Sequence, residues 1–410
     1  MAQAFAQHRL ENGLTIVAEK MAGVRSAAMT LMVPAGAYND PTARIGSATV
    51  LAEWALRGAG NRDSRQLSNH LDTLGLQRSS SASVLYTRFG AAALAGRVID
   101  GLPAYADIVR RAKLPEGDFE PSQNLALQAL AGLDDDPRHK LLIALRETFW
   151  PEPYGRNAMG HKADIAALTA EQLRADYAQR YSPNGAIFAI AGDIDLQQVI
   201  DLGNQLFGDW KAAPLPPVAD RPTNKTVHFE EQKSEQTHIG LAFDSVDELH
   251  ADYYPARLAV EILSGGMSGR LFTEIREKRA LVYSVSASYS SLPGRGAIMG
   301  YAGTSNERAQ QTLDQFIIEL QRLAEGVTEA ELDRAKTGLK ASTIMSGEST
   351  GARAGAIGHD WLIRKRLRTI DEIIREIDSV NVDRINAYLA ANPARNFTIA
   401  IVGPKQLKLP

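Results

Sequence analysis

The sequence predicts an α+β protein built from two homologous α/β-sandwich domains, each an antiparallel-rich sheet covered by helices. The first reason is element order, because strand-like runs at 14–19 and 27–33 precede long helical patterns. The second is repetition, because A-I-F-A-I-A-G-D at 186–193 and N-F-T-I-A-I-V-G-P at 396–404 both follow a helical stretch and both end in a strand-like run closed by glycine. The third is a stretch with four prolines and little periodicity at 213–225. Together they indicate an internal duplication.

A second pair of segments supports the duplication. L-P-E-G-D-F-E at 114–120 and V-T-E-A-E-L-D at 327–333 both have the composition of helix starts. The second also offers a capping box formed by Thr328 and Glu331. Equivalent helices are therefore expected in the two halves.

The proline-rich stretch sets the predicted domain boundary. Prolines at this density favour a semi-extended linker over a helix or a strand. We therefore predict an N-terminal domain at residues 1–212, a linker at 213–225 and a C-terminal domain at 226–410.

Composition excludes several function classes. A hydrophobic fraction of 44% with 23% charged residues is typical of a globular chain that buries a large core. The net charge of -3 provides no broad field for nucleic acid or anionic lipid, and no apolar run approaches the roughly 20 residues of a membrane span. The absence of cysteine rules out thiolate zinc ligands and a cysteine nucleophile. The basic run at 364–368 is followed by acidic residues, so we interpret it as a solvated helix face.

The helix predicted at 46–58 resembles the zinc helix of the metallopeptidases that carry H-x-x-E-H. That chemistry needs two imidazoles one helical turn apart, a carboxylate base and a further carboxylate downstream. This sequence has Thr49 and Glu53 in the two histidine places, Ala52 in the place of the base, and Ala129 in the downstream place. We therefore expect no metal to be bound by this chain.

The segment L-S-G-G-M-S-G-R-L-F-T-E-I-R-E-K-R-A-L-V-Y-S-V-S-A-S-Y, at 263–289, closely resembles the C-terminal-domain signature of the pitrilysin and mitochondrial processing peptidase family, the M16 metallopeptidases. In that family an arginine and a tyrosine with this separation reach toward the zinc site of the other half. The resemblance assigns those roles to Arg276, on a helix predicted at 270–280, and Tyr283, near the start of a strand predicted at 282–289.

The residue types suit that role. A guanidinium offers several fixed donors to substrate carbonyl oxygens, and a phenol offers one donor where charge develops on the scissile carbonyl. The structural alternative is that Arg276 pairs with a neighbouring acid such as Glu274 or Glu277 while Tyr283 only packs.

A glycine cluster precedes the predicted helix. Gly265, Gly266 and Gly269 lack the lysine and hydroxyl that would follow in a phosphate-binding loop. We interpret the cluster as a tight turn that lets the backbone approach a peptide, with Gly265, Gly266 and Met267 as candidate substrate-binding residues.

Further stretches extend the resemblance over nearly the whole chain. One of them, at 79–90, matches the family's edge strand, which pairs with the substrate backbone in zinc-bearing members; without zinc nearby we interpret it as structural here. The others are N-G-L-T-I-V at 12–17, P-Y-G-R at 153–156, Y-S-P-N at 181–184, A-G-D at 191–193 and G-T-S-N-E-R at 303–308.

The resemblance implies a zinc-free subunit of a bacterial heterodimeric peptidase acting on peptides or unfolded proteins, inactive alone. Its partner would be a homologous chain that retains H-x-x-E-H and holds the zinc. Two alternatives stay open: a purely structural subunit resembling respiratory core proteins, and a peptide-binding module without catalysis. Family analogy implies the bacterial periplasm, although the first residues have neither the basic start nor the apolar stretch of an intact signal peptide.

Overall fold

The computed structural model describes residues 3–214 and 226–409. The strands are β1 Ala4–Arg9, β2 Thr15–Lys20, β3 Ser26–Val33, β4 Gly58–Ala59, β5 Arg62–Asp63, β6 Gln77–Ala82, β7 Thr87–Leu94, β8 Ile187–Gly192, β9 Val227–Glu231, β10 Gln236–Ser245, β11 Val282–Leu292, β12 Arg295–Ser305 and β13 Thr398–Gly403. The helices are α1 Ser47–Trp54, α2 Ser64–Thr73, α3 Ala95–Arg110, α4 Phe119–Ala131, α5 Pro137–Phe149, α6 Lys162–Ala166, α7 Ala170–Arg180, α8 Leu196–Phe207, α9 Tyr253–Ser264, α10 Ala309–Gln321, α11 Glu329–Gly347, α12 Thr350–Arg364, α13 Ile370–Asp378 and α14 Val382–Ala391. The predicted α+β class is confirmed, and none of these helices is long and apolar enough to span a bilayer.

The first compact unit contains a six-stranded sheet in the order β1-β2-β8-β3-β7-β6. Among the described strands of this sheet, only the β2 and β8 pair is parallel. Because side chains alternate across a strand, the two faces of β2 enter different cores. Ile16 and Ala18 join the main core, whereas Val17 packs in a second cluster with Ile357 of α12.

The second compact unit contains a five-stranded sheet in the order β11-β12-β10-β13-β9. Here too one strand pair, β9 and β13, is parallel. Read from the other edge, the order β9-β13-β10-β12-β11 matches β2-β8-β3-β7-β6, with the parallel pair at the same place. The duplication inferred from sequence is thus repeated in strand order.

Each unit includes one helix from the other half of the chain. Among the described residues, the first unit comprises those in Met1–Gly132, Glu152–Asp220 and Ser346–Thr369, and the second those in Leu133–Pro151, Arg221–Met345 and Ile370–Pro410. Helix α12 therefore packs on the sheet of the first unit and α5 on that of the second. The domain limits at 212 and 226 remain a prediction, since 215–225 of the predicted linker lie outside the described residues.

Candidate functional site

Arg276 lies in a π-helical segment, Phe272–Glu277. The wide turn is visible in the bond from the Lys278 amide to the Thr273 carbonyl, five residues back, at 3.0 Å. Ala280 then takes a left-handed conformation with φ of 50°, which ends the segment. Single π-helical turns are frequent at functional sites, and this one carries Arg276 on its exposed side.

The Arg276 guanidinium has no hydrogen bond or ion pair with the described residues and lies over the Phe272 ring, 4.9 Å from its centre. The nearby acid Glu274 is already engaged, by Lys278 at 2.6 Å and Arg279 at 3.0 Å. Hydrogen bonds from these two cations lower the pKa of the Glu274 carboxyl. The pairing of Arg276 with a neighbouring acid, left open by the sequence, is therefore not present.

Tyr283 is the second residue of β11 and lies at a β-bulge. Val282 pairs with Thr304 and Ser284 with Gly303, so Tyr283 has no opposite residue on β12. Its side chain is 59% exposed, in contrast to the buried Val282 beside it. A bulge changes the direction of a side chain and is common beside active sites. Tyr283 therefore does not pack into the core, as the structural alternative required.

The structure brings the two predicted residues onto adjacent elements of one unit. The π-helical segment packs against β11. Arg276 and Tyr283 are both exposed, and neither side chain has a hydrogen-bond partner among the described residues. The pair therefore presents unused donors to an external ligand.

The glycine cluster forms the predicted tight turn. Gly265 ends α9, and a β-carbon at this position would lie 2.4 Å from Oε1 of Glu261. Gly266 has a φ of +121°, which favours glycine. Met267 follows with 74% of its surface exposed, so the turn presents an apolar side chain to solvent.

Sequence reasoning missed two residues at this site. Glu261 lines a cavity of about 160 Å³ together with Gly265 and Met267, and burial raises the pKa of its carboxyl. Phe272 supports the Arg276 guanidinium. Helical spacing was the available signal, because Glu261 lies four residues before Gly265 and Phe272 lies four residues before Arg276.

The positions that replace the zinc ligands have other roles. The Thr49 hydroxyl donates to the Ala158 carbonyl at 2.5 Å, and the Glu53 carboxylate is paired with Arg57. Ala52 is buried in α1, and Ala129 lies on α4. A hydroxyl, two methyl groups and one paired carboxylate do not make a zinc ligand set. In the described part of the chain, no group of three or more His, Cys, Asp or Glu residues is placed to hold a metal.

Comparison with known proteins gives consistent matches. Residues 15–162 match the family described as insulinase (peptidase family M16), and residues 167–339 match the peptidase M16 inactive domain. An uncharacterized zinc protease of Bacillus subtilis, YmxG, is 26% identical over 97% of this chain and 98% of its own length.

Two solved structures are similar over their full length. The peptidase M16 inactive domain from Pseudomonas fluorescens aligns with a TM-score of 0.90 at 21% identity, covering 99% of both chains. A protease from Helicobacter pylori aligns with a TM-score of 0.89 at 19% identity, covering 98% of this chain and 100% of the other. At these identities the structural matches establish the fold.

Proposed function

Because the chain belongs to peptidase family M16, we propose that it is the zinc-free subunit of a heterodimeric metallopeptidase that degrades peptides or unfolded proteins. Its partner is a homologous subunit with H-x-x-E-H, which holds the zinc. This chain contributes half of the substrate chamber together with Arg276 and Tyr283, and is inactive alone.

The observation that carries the proposal is the state of these two side chains. Arg276 is exposed and has no ionic partner within 3–214 and 226–409, and Tyr283 is displaced outward by a bulge. An exposed guanidinium and an exposed phenol with no protein partner keep their N–H and O–H donors available to a ligand. Unengaged donors on adjacent elements are expected where a ligand completes the hydrogen bonds.

The chemistry divides between the two subunits. In the partner, the residues of H-x-x-E-H would hold the zinc, which would supply an activated water when bound. Arg276 donates to carbonyl oxygens of the substrate and holds the peptide in position, while the Tyr283 hydroxyl donates to the oxygen that becomes negative as the peptide carbonyl is attacked. Stacking on Phe272 restricts the guanidinium before the substrate arrives.

The test mixes the purified chain with a zinc-bearing partner and measures hydrolysis of an unfolded protein. Arg276→Ala and Tyr283→Phe should each lower turnover about 100- to 1000-fold, the usual effect of removing one such donor. Arg375→Ala is the matched arginine control, since Arg375 is exposed in the last turn of α13, in the same unit and away from Glu274. Tyr254→Phe, in the same unit, is the matched tyrosine control. Both controls should retain turnover.

Assembly measured by gel filtration must survive in every variant. Full activity in both Arg276→Ala and Tyr283→Phe would sink the catalytic assignment. Hydrolysis by the isolated chain would contradict the proposal that the zinc is held by the partner subunit. Capture of only non-peptidase partners would favour the structural-subunit alternative. Cell fractionation tests the proposed periplasmic compartment.

A further inference from the structure

Strand β11 is an open sheet edge. It is the terminal strand of the five-stranded sheet and pairs with β12 on one side. No backbone hydrogen bond to its other side occurs within residues 3–214 and 226–409. The strand is 11 residues long, and beyond the bulge at Val282/Ser284 its pairing with β12 is regular to Leu292. Roughly half of its backbone donors and acceptors therefore face outward without a protein partner.

The other sheet edges are protected and this one is not. Proteins protect exposed edges with charged residues, proline or short strands, because an open edge pairs with other chains. The β1 edge carries Arg9, the β6 edge carries Arg78 and the β9 edge carries Glu230 and Glu231, and these strands are only 6, 6 and 5 residues long. Strand β11, V-Y-S-V-S-A-S-Y-S-S-L, has no charged residue and no proline.

One face of β11 is formed by small side chains. Alternation along the strand puts serines on the same face, at positions 284, 286, 288 and 290. On the opposite face, Val285, Ala287 and Tyr289 pack against the core of the unit. A neighbouring strand would meet short hydroxyl side chains on the serine face, which neither obstruct its approach nor select among its residues.

We propose that β11 binds an extended polypeptide segment as an added strand and recognises its backbone with little regard to sequence. This deepens the proposed function and rests on it, since it assigns the binding of an unfolded chain to one strand of this subunit. A folded protein does not offer an unpaired extended segment, whereas backbone pairing accepts any sequence without proline at the paired positions. The strand begins at the bulge that carries Tyr283, so a segment paired along β11 runs directly to the candidate catalytic pair.

Binding is tested on the isolated chain, without the zinc partner. The probe is a short fluorescent peptide of mixed sequence, compared with a scrambled version and with a version in which every backbone amide is N-methylated, so that neither edge of the peptide can donate. The scrambled peptide should bind within about threefold of the original, and N-methylation should weaken binding roughly tenfold or more because several backbone hydrogen bonds are lost. Equal binding of the N-methylated peptide would overturn the proposal.

Proline variants test whether the peptide binds at the β11 edge. Backbone amides point alternately to the two sides of a strand, so either Ser286→Pro or Ala287→Pro removes an outward amide. The variant that loses an outward amide keeps its pairing with β12, so it should keep the wild-type Tm and lose peptide binding. Ser80→Pro in β6 is the matched control and should bind normally. Loss of binding in Ser80→Pro with retention in the folded β11 variant would assign binding to the other sheet and refute the proposal.

Hydrogen exchange distinguishes the remaining outcomes and does not depend on the folding of any variant. The peptide should slow exchange of amides within Ser284–Leu292. Protection there before peptide is added, together with a dimer in gel filtration, would mean that a second copy occupies the edge and would refute the proposal. These binding measurements need no catalysis, so they test the β11 edge even if Arg276 and Tyr283 prove to have no catalytic role. Conversely, failure of peptide binding at β11 does not affect the turnover test of Arg276 and Tyr283.

Discussion

The ion pair between Arg270 and Glu331 fastens the end of the glycine turn to α11, and its contribution to stability can be predicted. Nε of Arg270 donates to one carboxylate oxygen of Glu331 at 2.7 Å and Nη2 to the other at 2.9 Å. The side chains are 20% and 18% exposed, so solvent screens the pair only in part. Nη2 also donates to the Gly326 carbonyl at 2.9 Å. Arg270 directly follows Gly269, so the pair holds the end of the turn in place.

The hydrogen bond from Arg270 is the main cause that lowers the pKa of the Glu331 carboxyl from 4.5 to about 2. A shift of this size corresponds to roughly 3 kcal/mol of stability at pH 7. Since the folded-state pKa is the lower one, this stability is fully present above pH 4.5 and is lost as the pH falls toward 2. Glu331→Gln removes the charge while keeping a side chain suited to the capping box with Thr328.

Urea unfolding of wild type and Glu331→Gln should differ by about 2–3 kcal/mol at pH 7, and the difference should shrink by about 1 kcal/mol by pH 3.5. Glu329→Gln is the matched control, because Glu329 is an exposed carboxylate in the same first turn and has no partner among the described residues. It should change stability by less than about 0.5 kcal/mol. A Glu331→Gln difference that stays constant across this pH range would refute the electrostatic explanation.

Two further substitutions test packing, one in each compact unit. Arg353→Ala leaves the buried Glu19 carboxylate without its ion pair at 2.8 Å and should lower the free energy of unfolding in urea by about 3–5 kcal/mol. The double variant Glu19→Leu/Arg353→Met should recover most of that loss. A double variant as unstable as the single one would contradict the electrostatic reasoning. Gly269→Ala puts a β-carbon 2.7 Å from the Leu263 carbonyl and should cost about 1–3 kcal/mol. Gly355→Ala, at an open helical position, should instead raise Tm, and a destabilising effect there would contradict the steric explanation.

Features encoded in short stretches could be predicted from the sequence. The closing runs at 186–193 and 396–404 form β8 and β13, at equivalent places in the two sheets. Thr328 and Glu331 form the predicted capping box. These predictions succeed because strand alternation, caps and glycine turns depend on residues close in sequence.

The exchange of α5 and α12 between the units could not be predicted in this way. An amphipathic helix pattern shows that one face is buried, but not which sheet buries it. For α5 that choice depends on Gly240 of β10: a β-carbon there would lie 3.2 Å from Leu145 and 3.4 Å from Leu141. For α12 it includes the pair between Arg353 and Glu19, which are far apart in sequence. Such contacts leave no local signal.

The candidate site combines predictable and unpredictable features. The sequence identified Arg276 and Tyr283 by resemblance, but the pattern E-I-R-E-K-R-A-L-V-Y reads as an ordinary helix followed by a strand. The π-helical turn and the bulge come from tertiary packing, in which buried Ile275 and Val282 anchor the two elements. Those irregularities determine which side chains face outward.

The free state of Arg276 follows from competition among neighbouring charges. Glu274 has several cations within reach and pairs with Lys278 and Arg279. Among the residues that the structure describes, the Arg276 guanidinium is left with its contact to Phe272, and an exposed cation–π contact is worth about 0.5–1 kcal/mol. Arg276→Ala should therefore change the free energy of unfolding by no more than about 1 kcal/mol. If Arg276 acts in catalysis, its loss must appear in turnover while stability stays nearly unchanged, a separation that a structural arginine would not show.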